Sequence, residues 1–118
     1  MTILEAGKEL DVAIARDVLG YTPHEFKSGF HGEQPGDWIL GIRGVHWDRQ
    51  LVPNYSTDIR AAWQVVAKLS KAGAPFQMLD DFDETGKNVG VSVWFGKAMG
   101  CAETAPHAIC LAALRAVT

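Results

Sequence analysis

Residues Asn88–Phe95 read N-V-G-V-S-V-W-F. Val89, Val91, Val93 and Phe95 alternate with Gly90, Ser92 and Trp94, the two-residue period of a strand that turns one face toward a core. Trp94 then falls on the opposite face, where a second helical layer could cover it. Upstream, Pro75–Asp80 has the composition of a second strand, and the polar run D-D-F-D-E-T-G-K-N joins the two. The pair is expected to form a hairpin.

Helices are expected on both sides of this hairpin in the chain. The stretch N-Y-S-T-D-I-R-A-A-W-Q-V-V, Asn54–Val66, opens one sharply. Ser56 is its expected N-cap and Asp58 lies in the first turn, where negative charge suits the helix dipole. Ile59, Ala62, Trp63, Val66 and Ala67 form the apolar stripe, which places Trp63 in the core. Lys68 and Lys71 suit the end of this helix, and Gly73 and Pro75 stop it. After the hairpin, Thr104 caps a helix running to about Val117, with Pro106 in its first turn and Ile109, Ala112, Ala113 and Ala116 along one side. At the other end of the chain, Leu10, Ile14 and Val18, flanked by Ala6 and Ala13, predict a helix over Gly7–Leu19 that ends at a left-handed Gly20.

Between these lies Tyr21–Asp37, with two prolines, three glycines and no usable period, which reads as a long loop or flap. W-I-L-G-I-R-G-V, Trp38–Val45, followed by His46 and Trp47, reads as one strand or two short ones around Gly44, with Trp38, Leu40 and Ile42 on one face. The element order is thus αβ(β)αββα. Strands and helices do not alternate regularly, so a doubly wound parallel sheet is not expected. An antiparallel β-sheet sandwiched between α-helices, an α+β fold, is the economical solution.

With 118 residues, 47% apolar and 21% charged, the chain suits one domain over 1–118. No run reaches the roughly 20 apolar residues that span a bilayer, and the N-terminus lacks the basic and hydrophobic regions of a leader, so a cytosolic protein is expected. Two cysteines, Cys101 and Cys110, are too few for a disulfide framework. A net charge of −3 argues against sequence-independent binding to long nucleic acid. One or two local cations would still serve a small anionic ligand.

Familiar catalytic and cofactor signatures are missing: there is no phosphate-cradling glycine loop with Lys-Ser/Thr, no dinucleotide fingerprint, no nucleophile elbow and no H-E-x-x-H. Asp80, Asp81, Asp83 and Glu84 superficially resemble the start of a calcium loop. The bidentate Glu such a loop needs six residues after its glycine is absent, because that position is Ser92, so a solvated turn is expected. Cys101, His107 and Cys110 lack the paired short spacings of structural zinc and read instead as packing around an Ala-rich helix. His24, His31 and His46 read as scattered loop histidines. Neither a metal nor a cofactor is expected. The aromatic and cationic residues carry more: Trp38 and Trp47 could stack on a base or ribose, free N–H groups at a helix start beside Tyr55 suit phosphate, and Arg43, Arg49 and Arg60 could neutralise it.

Three segments together resemble one family. They are V-P-N-Y-S-T-D-I-R-A-A-W-Q-V-V (52–66) with the K-L that follows, V-S-V-W-F (91–95) and A-E-T-A-P-H-A-I-C-L-A-A-L (102–114), and G-K-E-L-D-V-A-I-A-R-D-V-L-G (7–20) supports them. The combination is similar to the phage ABA sandwich domain, a group of small bacteriophage and prophage proteins. The resemblance covers nearly the whole chain, with 21–37 matching least. It implies an antiparallel sheet between helical layers, in a protein expressed in the cytoplasm of an infected bacterium, and it implies little about activity.

Some small phage α/β proteins of this size are oligomeric sponges for the nucleotide signals of bacterial immunity. By that analogy the leading expectation is a non-enzymatic, homo-oligomeric binder of a small nucleotide-type ligand, acting against host defence. Its site would draw on Trp38, Arg43, Trp47, Tyr55, Ser56, Thr57 and Arg60. One alternative is a protein–protein interaction module that binds a host or phage factor through an exposed helix face or the flap. Another is a small nucleotide-processing enzyme using His46, His107 or Cys110.

Overall fold

The alternation at Asn88–Phe95 becomes the central strand of a three-stranded antiparallel sheet. The computed structural model describes residues 5–21, 23–26, 36–40 and 49–118, and of 23–26, 36–40 and 49–51 it is the backbone pairing that is described. The elements in chain order are α1 (Lys8–Ala13), which continues as a π-helical turn (Ile14–Val18), β1 (Pro23–Phe26), β2 (Gly36–Leu40), β3 (Arg49–Leu51), α2 (Ile59–Lys71), β4 (Phe76–Phe82), β5 (Asn88–Phe95), β6 (Ala98–Ala102) and α3 (Ala105–Val117). No helix among the described residues is long and apolar enough to cross a membrane.

The fold is α+β with antiparallel sheets, as the element pattern predicts. Its strands divide between two sheets, β1-β2-β3 and β4-β5-β6, rather than joining one. Three differences from the expected elements follow, the first being β3, which lies beyond the one or two strands expected over Trp38–Trp47. The Gly/Pro-rich segment read as a loop contains β1, which pairs with β2 from Pro23↔Ile39 to Phe26↔Gly36. The sequence reading also placed no strand between Phe95 and Thr104, where β6 lies. Ala-Met-Gly-Cys-Ala has none of the β-branched residues that announce a strand. β5 recruits it, through pairs such as Val93↔Gly100.

Val91, Val93 and Phe95 are buried, and register places Phe76 and Met78 of β4 and Ala98, Gly100 and Ala102 of β6 on the same face. α3 lies across that face. It comes close because of Gly100, where a Cβ would stand 2.4 Å from the Ala112 nitrogen and 2.7 Å from the Ala108 carbonyl oxygen. Ala108, Ala112 and Ala113, all fully buried, keep the helix side of this contact equally thin. The other close approach is at Gly90 beside the β4–β5 register irregularity, where φ is +150° and a Cβ would meet the Ala102 carbonyl oxygen at 2.6 Å. Bulges of this kind favour glycine because it alone tolerates such a backbone freely.

One core cluster draws on α1, α2, α3 and β5: Leu10, Ile14 and Val18, Ala62, Val65 and Leu69, Ile109 and Cys110, and Val93 all belong to it. Burying each larger side chain contributes about 1.5–3 kcal/mol. α1 buries the predicted Leu10–Ile14–Val18 stripe, and Gly20 follows it at φ +76°. In α2 the buried stripe is Ala61, Ala62, Val65, Val66 and Leu69, rotated from the predicted one. Trp63, expected in the core, is 47% exposed and lies edge-on to Phe76 with ring centroids 5.8 Å apart. Phe76 in turn stacks on Phe95 at 5.4 Å, so Trp63 caps the margin of the core and leaves its own outer face in solvent.

Candidate functional site

The second sheet turns Leu79, Ser92 and Cys101 to the face away from the core, in register across its three strands, with Trp94 and Met99 paired beside them. Leu79 is 50% exposed and Met99 and Cys101 are exposed, while Trp94 is half-buried. A polar line crosses this apolar surface. The Ser92 hydroxyl donates to Asp81 Oδ2 at 2.7 Å and lies 3.3 Å from Cys101 Sγ.

The two edges of the sheet differ. On β6 the Met99 carbonyl accepts from Arg115 Nη1 of α3 at 2.7 Å, so a helix side chain reaches over that edge. β4 is the other edge, and among the described residues its one strand neighbour is β5. Along it Met78, Leu79 and Phe82 are exposed, Phe82 by 61%, and Trp63 flanks its first residue. A seven-residue edge with apolar side chains on both faces is what soluble proteins ordinarily blunt with charge, proline or a covering segment. Here the charge is confined to one end, at Asp80 and Asp81, with Asp83 and Glu84 in the adjoining turn. Such a surface can pair main chain to main chain and bury apolar side chains as it does so.

The residues expected at the start of α2 are distributed differently. Tyr55 and Ser56 have no exposed surface. Ser56 is not the N-cap; Asp58 is, its side chain accepting from the Arg60 N–H at 2.9 Å. Ser56 is instead claimed by α1, donating its N–H to Asp11 Oδ1 at 2.7 Å and its hydroxyl to the same oxygen at 2.6 Å, while its Oγ accepts from the Gly7 N–H at 2.8 Å. The Tyr55 ring fills the core. Burial, helped by nearby Tyr21, Asp11 and Cys110, pushes its hydroxyl well above the usual tyrosine range, and that hydroxyl has no hydrogen-bond partner among the described residues. Thr57 and Arg60 are exposed. Trp38 belongs to β2, its backbone opposite His24 and Leu51, whereas Arg43 and Trp47 lie outside the described residues, as do His31 and His46.

Cys101 and Cys110 lie on opposite sides of the sheet, Cys101 on its outer face and Cys110 on α3, buried in the core. Burial raises the Cys110 thiol far above the ordinary cysteine range, so it is a protonated, enclosed group. No group of three His, Cys, Asp or Glu side chains with metal-holding geometry occurs among the described residues. The acidic hairpin turn is held by its own hydrogen bonds: Asp83 Oδ1 accepts from the Thr85 N–H, the Thr85 hydroxyl and the Lys87 N–H at 2.9, 2.6 and 3.0 Å. The Thr85 hydroxyl first, and the turn N–H groups with it, hold the Asp83 carboxyl below its ordinary value.

The sequence reading missed the β4 edge. Its signal was the adjacent pair Met78-Leu79, since neighbouring apolar residues in a strand must point to opposite faces, and a strand apolar on both faces has to be covered on both.

Comparison with known proteins agrees with this architecture. A crystal structure of a phage protein from Bacillus cereus ATCC 14579 is similar, with a TM-score of 0.63 and 28% sequence identity over 99% of this chain and 97% of that one. No curated protein matches. The family profile described as the phage ABA sandwich domain matches residues 12–114, which takes in α2, both sheets, the end of α1 and most of α3. The chain belongs to the phage ABA sandwich domain family.

Proposed function

We propose that this phage protein works by binding rather than by catalysis, and that it holds a host or phage protein at the free edge and open face of its second sheet. One observation carries the reading: Met78, Leu79 and Phe82 stand exposed along a β4 edge that has β5 as its one strand neighbour among the described residues. Adding a strand there satisfies edge N–H and C=O groups while neighbouring side chains enter apolar contacts, the recognition mode known as β-augmentation. The burial of Cys110 points the same way, because it takes a nucleophile expected of an enzyme out of reach. Affinity capture from infected cells with the intact chain and with Leu79→Lys tests the reading. A stoichiometric protein partner retained by the former and lost by the latter is the expected result. Equal retention by both, or no partner for either, contradicts it.

A second reading, sequestration of a small nucleotide-type immune signal by a homo-oligomer in the host cytoplasm, is favoured by the joint exposure of Thr57 and Arg60 at the start of α2. Arg60 would meet phosphate there, with Trp38, Arg43 and Trp47 as further candidates. Tyr55 and Ser56 would hold the helix in place without touching the ligand. Calorimetric titration with cyclic dinucleotides, cyclic trinucleotides and cyclic ADP-ribose isomers decides it: saturable heat abolished by Arg60→Ala supports it, and the absence of heat with every ligand ends it.

A further inference from the structure

We infer that the β4 edge is occupied by the β4 edge of a second copy of this chain, related by a two-fold axis that passes through Leu79 perpendicular to the sheet. The inference rests on the reading of β4 as the binding edge and names the partner. Three features of the strand specify it.

The first is register. A two-fold axis perpendicular to the sheet keeps each face on its own side, so residues facing each other across the new seam must belong to the same face. That requirement leaves the axis on a residue of β4. Centred on Leu79, all seven residues of Phe76–Phe82 pair, Gln77 facing Asp81 and Met78 facing Asp80. No two carboxylates stand opposite each other, and the Gln77 amide can donate to Asp81. Moving the axis to Asp80 sets two aspartates face to face, which is unfavourable, and moving it to Met78 takes Asp81 and Phe82 out of the pairing.

The second is apolar matching. In this register Phe82, the most exposed large apolar residue among the described residues, comes opposite Phe76 of the partner, whose ring already has Trp63 against its edge. Trp63, Phe76 and the incoming Phe82 then form one cluster at each end of the seam, and Leu79 meets its own copy at the centre.

The third is charge. The C-terminal end of β4 is acidic, with Asp80 and Asp81 followed by Asp83 and Glu84 in the turn. The chain enters the strand from the basic last turn of α2, with Lys68 and Lys71. Antiparallel pairing brings the acidic end of each copy toward the basic end of the other. The product is a continuous six-stranded sheet with both sets of helices on one side, whereas β6, crossed by Arg115, forms its outer rims.

The test uses the whole chain. Sedimentation at about 100 µM, well above the dissociation constants of micromolar complexes, should give a dimer. Leu79→Lys, which sets two like charges across the axis, should weaken association at least about tenfold while leaving the far-ultraviolet circular dichroism and thermal midpoint of the monomer intact. Register is read by disulfide trapping in a Cys101→Ser background. Leu79→Cys should oxidise to a covalent dimer because facing residues have Cα atoms about 4.5–5.5 Å apart. Gln77→Cys should not, because its two copies lie four residues out of register along the seam. A monomeric wild type, a Leu79→Lys variant that still dimerises, or trapping through position 77 as readily as 79 overturns the inference. If the wild type is monomeric while Leu79→Lys still loses a different protein captured from infected cells, the homodimer fails and the proposed binding function stands. If both tests fail, both ideas fall.

Discussion

Ser56 donates both its backbone N–H and its hydroxyl to one oxygen of Asp11, at 2.7 and 2.6 Å, across 45 positions of sequence. Both residues are buried, so this contact fixes the start of α2 against α1 in a setting where each lost partner leaves a desolvated polar group. Ser56→Ala should cost about 1–3 kcal/mol of unfolding free energy. Asp11→Ala should cost more, because it strands the Ser56 N–H as well. Urea unfolding of both singles and the double variant checks this: the contact predicts a coupling energy of about 0.5–3 kcal/mol, and simple additivity speaks against it.

Tyr55 gives a prediction of opposite sign. Its hydroxyl is enclosed without a hydrogen-bond partner among the described residues, so Tyr55→Phe removes a polar atom that folding desolvates without a hydrogen bond in return. The variant should be unchanged or more stable by up to about 1 kcal/mol, judged from the usual cost of a buried unpaired hydroxyl. A clear loss of stability in urea unfolding would mean that the hydroxyl has a partner, such as a bound water.

Gly100→Ala tests the contact between β6 and α3. A Cβ at this position overlaps the Ala112 nitrogen and the Ala108 carbonyl oxygen, both of them backbone atoms that cannot swing away. The expected loss is about 1–3 kcal/mol or more, the range for overpacked cores, read from the thermal midpoint. An unaltered midpoint would contradict the close approach.

The hairpin turn should respond to acid. The Asp83 carboxyl sits below its ordinary value because the Thr85 hydroxyl and turn N–H groups bond its ionised form. A group whose folded value is depressed contributes stability above its unfolded value, near 3.8, and loses it as pH falls through the lower folded value. Asp83→Ala should therefore lower the thermal midpoint at neutral pH, with the gap to wild type closing as pH drops below the ordinary aspartate value. A gap that stays constant down to that range would show that the carboxylate is not the source.

Much of the fold was legible because apolar spacing decides it. The Val91–Val93–Phe95 alternation gave β5, and the Leu10–Ile14–Val18 repeat gave α1. What escaped depended on partners distant in sequence. Ser56 has the chemistry of an N-cap, but the Asp11 carboxylate recruits it and the neighbouring Asp58 takes the cap. Trp63 has the hydrophobicity of a core residue, yet the small Ala61 and Ala62 let α2 pack on the flank beside it, and the tryptophan is left at the rim over Phe76. β6 has almost no local strand signal and exists because β5 and α3 hold it from two sides. The candidate edge was missed because exposure of Met78, Leu79 and Phe82 follows from strand order, which the spacing of apolar residues does not encode.

The most direct test of the central claim, that the β4 edge is where this protein meets its partner, is site-specific photo-crosslinking in infected cells. A photoreactive side chain is placed at Leu79 and, as a control, at the exposed Glu103, which follows β6 at the opposite edge of the sheet. The account predicts a discrete protein adduct from position 79, whether a second copy or another protein, and none of comparable yield from position 103. No adduct at 79, or equal adducts at both positions, would contradict it.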